Sequence, residues 1–242
     1  MLDVERVSMH FGGVSAVDDV TLHVATGEIR CLVGPNGAGK TTLFNLIAGA
    51  LRPTAGWIRF KGRDVTGLSP RRLSRLGVAR KYQAPSVFDE FSVRQNLSVA
   101  LDGKRRLREL LRHHRGAEAP IAGAAAELGL GDRLDVQAGQ LAHGERQWLE
   151  IGMVLINQPE LLLLDEPTAG MTREETVATE GLVRRIAQSR GLTTIVIEHD
   201  INFVRALADK ITVLYKGRVL LEGSADEVEG DPEVRRVYLG EA

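Results

Sequence analysis

The sequence predicts an α/β protein: a mixed, largely parallel sheet buried on both faces, half-buried strands near the start, and an inserted helical segment. Three observations predict it. Short, strongly apolar runs at Leu161 to Leu164 and Thr193 to Ile197 flank a helical pattern from Glu174 to Ser189, which suits strands with no solvated face. A strand-like run from Glu28 to Val33 meets a Gly-rich loop, after which Thr41 to Leu51 places Leu43, Phe44, Leu46 and Ile47 on one helical face. From Ser92 to about Gly131 the strand signal disappears and the chain is rich in Ala, Leu and Arg, as expected of a separate helical subdomain.

The other elements follow from simpler cues. Val20, Leu22 and Val24 alternate with polar residues, and Trp57-Ile58-Arg59-Phe60 ends at Lys61-Gly62; both read as half-buried strands ending in turns. Ile211 to Tyr215 and Arg218 to Leu221 flank Lys216-Gly217, a hairpin signal, and a short helical tail covers Val234 to Leu239. There is no internal repeat of roughly 20 to 50 residues.

Composition narrows the function classes. A chain of 242 residues suffices for one large domain, or a domain with a subdomain, without disulfide staples. Its 43% apolar and 26% charged residues are those of a globular protein. The net charge of -1 supplies no general attraction to polyanions and argues against a nucleic-acid partner. The single cysteine, Cys31, sits in an apolar run, so neither a disulfide framework nor a zinc site is available, and a reducing compartment is expected. The opening MLDVERVSMHF is acidic and lacks the long apolar stretch of a secretory signal. No apolar run approaches the ~20 residues that span a bilayer, so any membrane role requires partners.

Two motifs carry chemistry. Gly34-Pro35-Asn36-Gly37-Ala38-Gly39-Lys40-Thr41 fits the phosphate-loop pattern between a strand and a helix. Its glycines let successive N–H groups point at a β-phosphate while the helix presents its positive end. Lys40 should reach the β- and γ-phosphates, Thr41 should ligate Mg²⁺, and Thr42 adds a hydroxyl near the α-phosphate. The second motif, Leu161 to Leu164 followed by Asp165-Glu166, is a buried strand ending in two carboxylates. Beside the phosphate loop, Asp165 would hold Mg²⁺ through water and Glu166 would polarise the attacking water. Together they predict a P-loop NTPase core using ATP and Mg²⁺.

Three further segments distinguish among NTPases. Gln83 follows a strand signal in Arg80-Lys81-Tyr82-Gln83, Leu141-Ala142-His143-Gly144-Glu145 precedes an apolar helix read as Trp148 to Ile156, and His199 follows Thr193 to Ile197. In order and spacing, the five segments resemble the ABC ATPase family over nearly the whole chain. The resemblance implies a fold with an N-terminal antiparallel β subdomain and an inserted helical subdomain. Residues 1–91 would form the nucleotide-binding core with its antiparallel part, 92–140 the helical subdomain, and 141–242 the signature helix, Asp-Glu strand, His199 loop and hairpin. It also implies that Gln83 senses Mg²⁺ and the water, that His199 contacts the γ-phosphate, and that Phe11 stacks on adenine. Residues 141–145 match the family's signature, which meets the nucleotide held by a second ATPase subunit. There Leu141 packs, while Gly144 and the following helix present N–H groups to an anion.

Departures from the family pattern matter as well. Ala142 stands where the family commonly has a Ser that bonds the partner's γ-phosphate, and losing one such charged hydrogen bond costs about 1.5–3 kcal/mol. Glu145 replaces the commoner Gln, and Thr172 stands where many relatives have an Asp that contacts the opposite subunit. A non-identical ATPase partner is therefore expected. Residues 143–153 and 167–172 look like the branched-chain amino acid uptake subgroup, and within it most like the urea-uptake ATPases; Val237-Tyr238-Leu239-Gly240 is also similar to lipopolysaccharide-export ATPases. Implied partners are integral membrane permeases, docked in a groove of the helical subdomain near the Gln83 loop, and indirectly an extracytoplasmic solute-binding protein. The implied location is the cytoplasmic face of the membrane. The basic run Lys104 to Arg115, with Leu107, Leu110 and Leu111 at helical spacing, reads as a solvated amphipathic helix, with attraction to anionic lipid as the alternative. Two other classes remain: a soluble DNA-repair or translation ATPase, whose second half or long coiled coil is missing here, and an idle ATP-binding scaffold.

Overall fold

The computed structural model describes residues 1–81, 87–102 and 118–239; Gln83 and the basic run 104–115 lie outside the described residues. The chain is an α/β protein, with two sheets among the described residues. Strands β3 (Ile29–Val33), β6 (Val78–Lys81), β7 (Leu161–Asp165), β8 (Thr193–Ile197), β9 (Lys210–Tyr215) and β10 (Arg218–Gly223) form a six-stranded sheet in the order β10-β9-β3-β8-β7-β6. Its strands pair in parallel except at the β9–β10 hairpin. The other sheet is antiparallel, with the order β2-β1-β4-β5, from β1 (Leu2–Phe11), β2 (Val14–Val24), β4 (Ala55–Phe60) and β5 (Arg63–Asp64).

The central strands read as unbroken apolar runs because their alternate residues serve two different cores. Cys31, Leu162, Leu164 and Val196 face helices α5 (His143–Leu155), α6 (Arg173–Arg190) and α7 (Ile201–Leu207). Leu32, Leu161, Leu163, Ile195 and Ile197 face α1 (Lys40–Ile47) and the antiparallel sheet. Burying a side chain of this size contributes roughly 1.5–3 kcal/mol, so both faces are needed to hold the sheet. Cys31 is buried and its surroundings push the thiol pKa upward, chiefly by desolvation, leaving an apolar core group.

Helix α1 ends at Ile47, short of Leu51, because Gly49 turns left-handed at φ 71° while Ala50 and Leu51 bond back to the Asn45 carbonyl. Strand β1 escaped the alternation test because Arg6 lies at φ 46° and the register shifts between Val4 and Val7, so that the buried apolar positions run Leu2, Val4, Val7 and break the period of two. Between β6 and β7 the described helices α3 (Val93–Asp102) and α4 (Glu118–Glu127) pack against α5. Helix α2 (Pro70–Arg75) precedes β6, and α8 (Ala225–Gly230) and α9 (Pro232–Leu239) follow the hairpin. Among the described residues no helix is long and apolar enough to cross a membrane.

Candidate active site

The phosphate loop occupies the turn between β3 and α1, at the carboxyl end of the parallel sheet, where open α/β sheets bind their ligands. Two of its glycines are required by geometry. Gly34 has φ 151°, and a Cβ there would lie 2.2 Å from the Leu214 carbonyl oxygen; Gly39 has φ 102°, and its Cβ would lie 2.4 Å from the Ala16 oxygen. The close neighbours come from the β9–β10 hairpin and β2, which also hold the loop by Gly217 N–H to Ala38 O at 2.9 Å and Asp18 N–H to Gly217 O at 2.8 Å. Asn36, Gly37 and Thr41 are exposed along the loop's outer rim, with Thr42 half-buried behind them.

Lys40 is 6% exposed, and its Nζ donates to Gly34 O at 2.5 Å and Pro35 O at 3.0 Å. Burial pulls its pKa down, while the negative charges of Glu166 and Asp165 oppose the shift. The ammonium thus already lies within the field of the two carboxylates at the end of β7.

Asp165, the last residue of β7, is 1% exposed. Its Oδ2 accepts from Arg80 Nη2 at 3.1 Å, whereas Oδ1 is buried with no hydrogen-bond partner among the described residues. Desolvation holds its pKa above the usual carboxylate value against the lowering effect of Arg80, and Glu166 raises it further. Such an under-satisfied buried carboxylate fits a Mg²⁺-water ligand, because a cation would complete its coordination. Glu166 comes next in a left-handed conformation, φ 48°, stabilised by its N–H to Ile197 O at 2.9 Å. A non-glycine residue there carries strain. The turn swings the carboxylate out of the sheet, and Oε1 lies 2.7 Å from His199 Nε2.

A residue between these two segments organises both. Glu198 is 4% exposed, and its Oε1 accepts from Thr168 N at 3.0 Å and from the Thr168 hydroxyl, while Oε2 accepts from His199 N at 2.9 Å. It therefore clamps the chain just after Glu166 to the chain carrying His199. Sequence reasoning missed Glu198; its only signal was a charge ending an otherwise apolar strand.

The signature residues 141–145 stand at the start of α5, which begins at His143, five residues before the predicted Trp148. Leu141 is buried in the core, as expected. Ala142 lacks the side-chain oxygen of a usual N-cap, and only the reciprocal half of the capping box forms: Glu145 Oε2 accepts from Ala142 N at 3.0 Å. The Gly144 N–H does meet an anion, but one of its own chain, donating to Glu175 Oε1 at 3.0 Å. His143 Nε2 lies 3.1 Å from Ala169 O, in the loop after Glu166. Thr172 caps α6, its hydroxyl accepting from Glu175 N at 3.2 Å while Glu175 Oε2 accepts from Thr172 N at 2.9 Å. Sequence reasoning had given neither Thr172 nor Glu175 this local task.

Lys40, Asp165, Glu166 and His199 thus converge on one end of the sheet. Phe11 is 48% exposed at the end of β1, beside the Gly12-Gly13 turn, available as a stacking surface. A cavity of about 320 Å³ lies beside β6, toward the amino ends of β6 and β7, lined by Pro70, Leu73, Ser74, Ala79, Arg80 and Asn157. It is walled by α2, β6, α5 and the turn after α5.

Comparison with known proteins agrees with this geometry. Residues 17–169 match the ABC transporter family, and residues 218–242 match the branched-chain amino acid ATP-binding cassette transporter family. The high-affinity branched-chain amino acid transport ATP-binding protein LivG of Salmonella typhimurium is 38% identical, with 100% of this chain and 98% of the relative aligned. BraF of Pseudomonas aeruginosa, described in the same words, is 35% identical over 100% and 98%. The lipopolysaccharide export ATP-binding protein LptB of Acidithiobacillus ferridurans is 36% identical over 93% and 90%. Among solved structures, the ADP conformation of MJ1267, an ATP-binding cassette of an ABC transporter, superposes with a TM-score of 0.88 at 29% identity, covering 100% of this chain and 99% of that one. On these matches the chain belongs to the ABC transporter ATP-binding subunits, in the LivG-like branched-chain amino acid subgroup.

Proposed function

We propose that this chain hydrolyses ATP to drive an importer of branched-chain amino acids or a similarly small polar solute such as urea. The observation that carries the chemistry is the Glu166 carboxylate, turned out of β7 by its left-handed backbone and held 2.7 Å from His199, with Lys40 and Asp165 beside it. The triphosphate displaces the Gly34 and Pro35 carbonyls from Lys40, whose ammonium then neutralises the β- and γ-phosphates. Thr41 and Asp165, joined by Gln83, would hold Mg²⁺, which supplies charge stabilisation to the phosphates. Glu166 orients the attacking water, and His199 keeps that carboxylate aimed and meets the γ-phosphate. Phe11 stacks on adenine.

The signature residues Leu141 to Glu145 face the nucleotide of a second ATPase subunit. Because Ala142 offers no hydroxyl, that subunit is a non-identical one whose own signature completes the stronger site. A tight, ATP-dependent homodimer of the Glu166→Gln chain alone, measured by light scattering, would remove the reason for this pairing. The chain occupies the cytoplasmic face of the membrane against its integral permeases, and a solute-binding protein delivers cargo without touching it.

The test is transport by proteoliposomes holding the chain with its permeases and second ATPase. Leucine or urea uptake that needs ATP and disappears in Glu166→Gln supports the reading. ATP turnover without uptake of either, together with extraction of a lipopolysaccharide-like lipid, would favour the export function of the LptB relative.

A further inference from the structure

The strongest unassigned feature lies beneath the active site, at Arg80. This side chain leaves β6 on the face opposite its neighbour Lys81, which pairs with Glu150 across 3.0 Å. Three groups among the described residues hold Arg80. Its Nη1 donates to Asn45 Oδ1, its guanidinium carbon sits 5.1 Å from the centre of the Phe44 ring, and its Nη2 donates to Asp165 Oδ2 at 3.1 Å. The first two partners belong to α1, one turn beyond Thr41, so the arginine is anchored on the same helix that carries the predicted hydroxyl ligand. Its planar fork suits this work, since one guanidinium can serve an amide oxygen and a carboxylate in fixed directions.

The consequence for Asp165 is asymmetric. One oxygen is occupied by Arg80, while the other is buried and has no hydrogen-bond partner among the described residues, which leaves it to accept from a metal-bound water. We propose that Arg80 is the positioning residue for Asp165: it locks the carboxylate's rotation, offsets part of its charge, and leaves Oδ1 alone to receive the magnesium ion's water. This inference rests on the reading of the phosphate loop and Asp165 as a Mg-nucleotide site. The fixed orientation matters because a freely rotating carboxylate would divide its time between two oxygens, whereas one held by Arg80 would present Oδ1 alone.

The role is read by binding, without turnover. The affinity of the purified chain for a non-hydrolysable ATP analogue is measured by calorimetry in EDTA and in saturating Mg²⁺, for the parent, Arg80→Lys, Arg80→Met and Asn45→Ala. In the parent, Mg²⁺ should tighten binding. Arg80→Lys and Arg80→Met should bind within about twofold of the parent in EDTA, yet lose about tenfold of the tightening by Mg²⁺, the effect of one charge-assisted hydrogen bond. Asn45→Ala removes one of the arginine's anchors without unpairing Asp165, so it carries the test if Arg80→Met does not fold; about threefold of the tightening should be lost. Equal tightening by Mg²⁺ in the parent and in every folded variant overturns the positioning role, even if the variants melt at a lower temperature. A parent whose affinity ignores Mg²⁺ overturns the underlying metal-site reading, and the inference falls with it.

Discussion

Replacing Glu198 should loosen the two segments that carry Glu166 and His199. Its buried carboxylate accepts three hydrogen bonds, two from Thr168 and one from the His199 N–H. Glu198→Gln keeps the shape but offers only one accepting oxygen, so either Thr168 or His199 must face an amide N–H. Losing one charge-assisted bond costs about 1.5–3 kcal/mol. Glu198→Ala leaves three donors unpaired, and allowing for relaxation and non-additivity the cost rises to about 3–5 kcal/mol. Against a total stability of roughly 5–15 kcal/mol, both changes are resolvable by urea denaturation. The functional effect should exceed the loss of folded protein, because a shift of about an ångström between Glu166 and the phosphate can cost on the order of a hundredfold in rate. Steady-state ATPase activity of the assembled transporter, corrected for the folded fraction, should therefore fall at least tenfold in Glu198→Gln. A Glu198→Gln protein within about 0.5 kcal/mol of the parent and equally active would refute the clamp.

Other expectations follow from the same geometry. Gly34→Ala forces a Cβ to 2.2 Å from the Leu214 oxygen at φ 151°, so calorimetry should find nucleotide binding lost; unchanged affinity would show that the loop tolerates another backbone. Leu163→Ala, on the face of β7 against α1, should destabilise by about 2–5 kcal/mol in urea denaturation, with m unchanged. The N–H groups of Thr172 and Gly144 hold the Glu175 carboxyl below its ordinary 4.5. A carboxyl with a depressed folded pKa adds stability above its unfolded value, and that stability is lost as pH falls through the folded one. The melting-temperature difference between parent and Glu175→Gln should accordingly be largest at neutral pH and vanish in acid; a difference independent of pH would contradict it.

Much of the active site was legible because its parts are local patterns. The phosphate loop needs glycines at fixed offsets, and those are visible without a fold. The apolar runs of β7 and β8 point to a doubly covered sheet because no solvated face remains to be polar. The hairpin at Lys216-Gly217 was equally plain, yet its service to the phosphate loop, through the Ala38–Gly217 and Gly217–Asp18 bonds, was not. Strand β1 was hidden by its bulge at Arg6. The start of α5 was placed too late because its first turn is polar and is held by Glu145 and Glu175, not announced by an apolar face.

The sequence by itself determined the chemistry on offer: a Gly-rich loop ending in Lys-Thr, a carboxylate pair after an apolar run, a histidine after another, and a signature segment without its usual hydroxyl. Only the tertiary structure decided which groups restrain which. Arg80 and Asp165 are 85 positions apart, Thr168 and Glu198 30, and Gly144 and Glu175 31. Each pair forms because neighbouring parallel strands and packed helices bring distant residues within about 3 Å, the range in which hydrogen bonds act. Periodicity tells a chain which face to bury; it carries no record of which partner waits on the other side of the sheet.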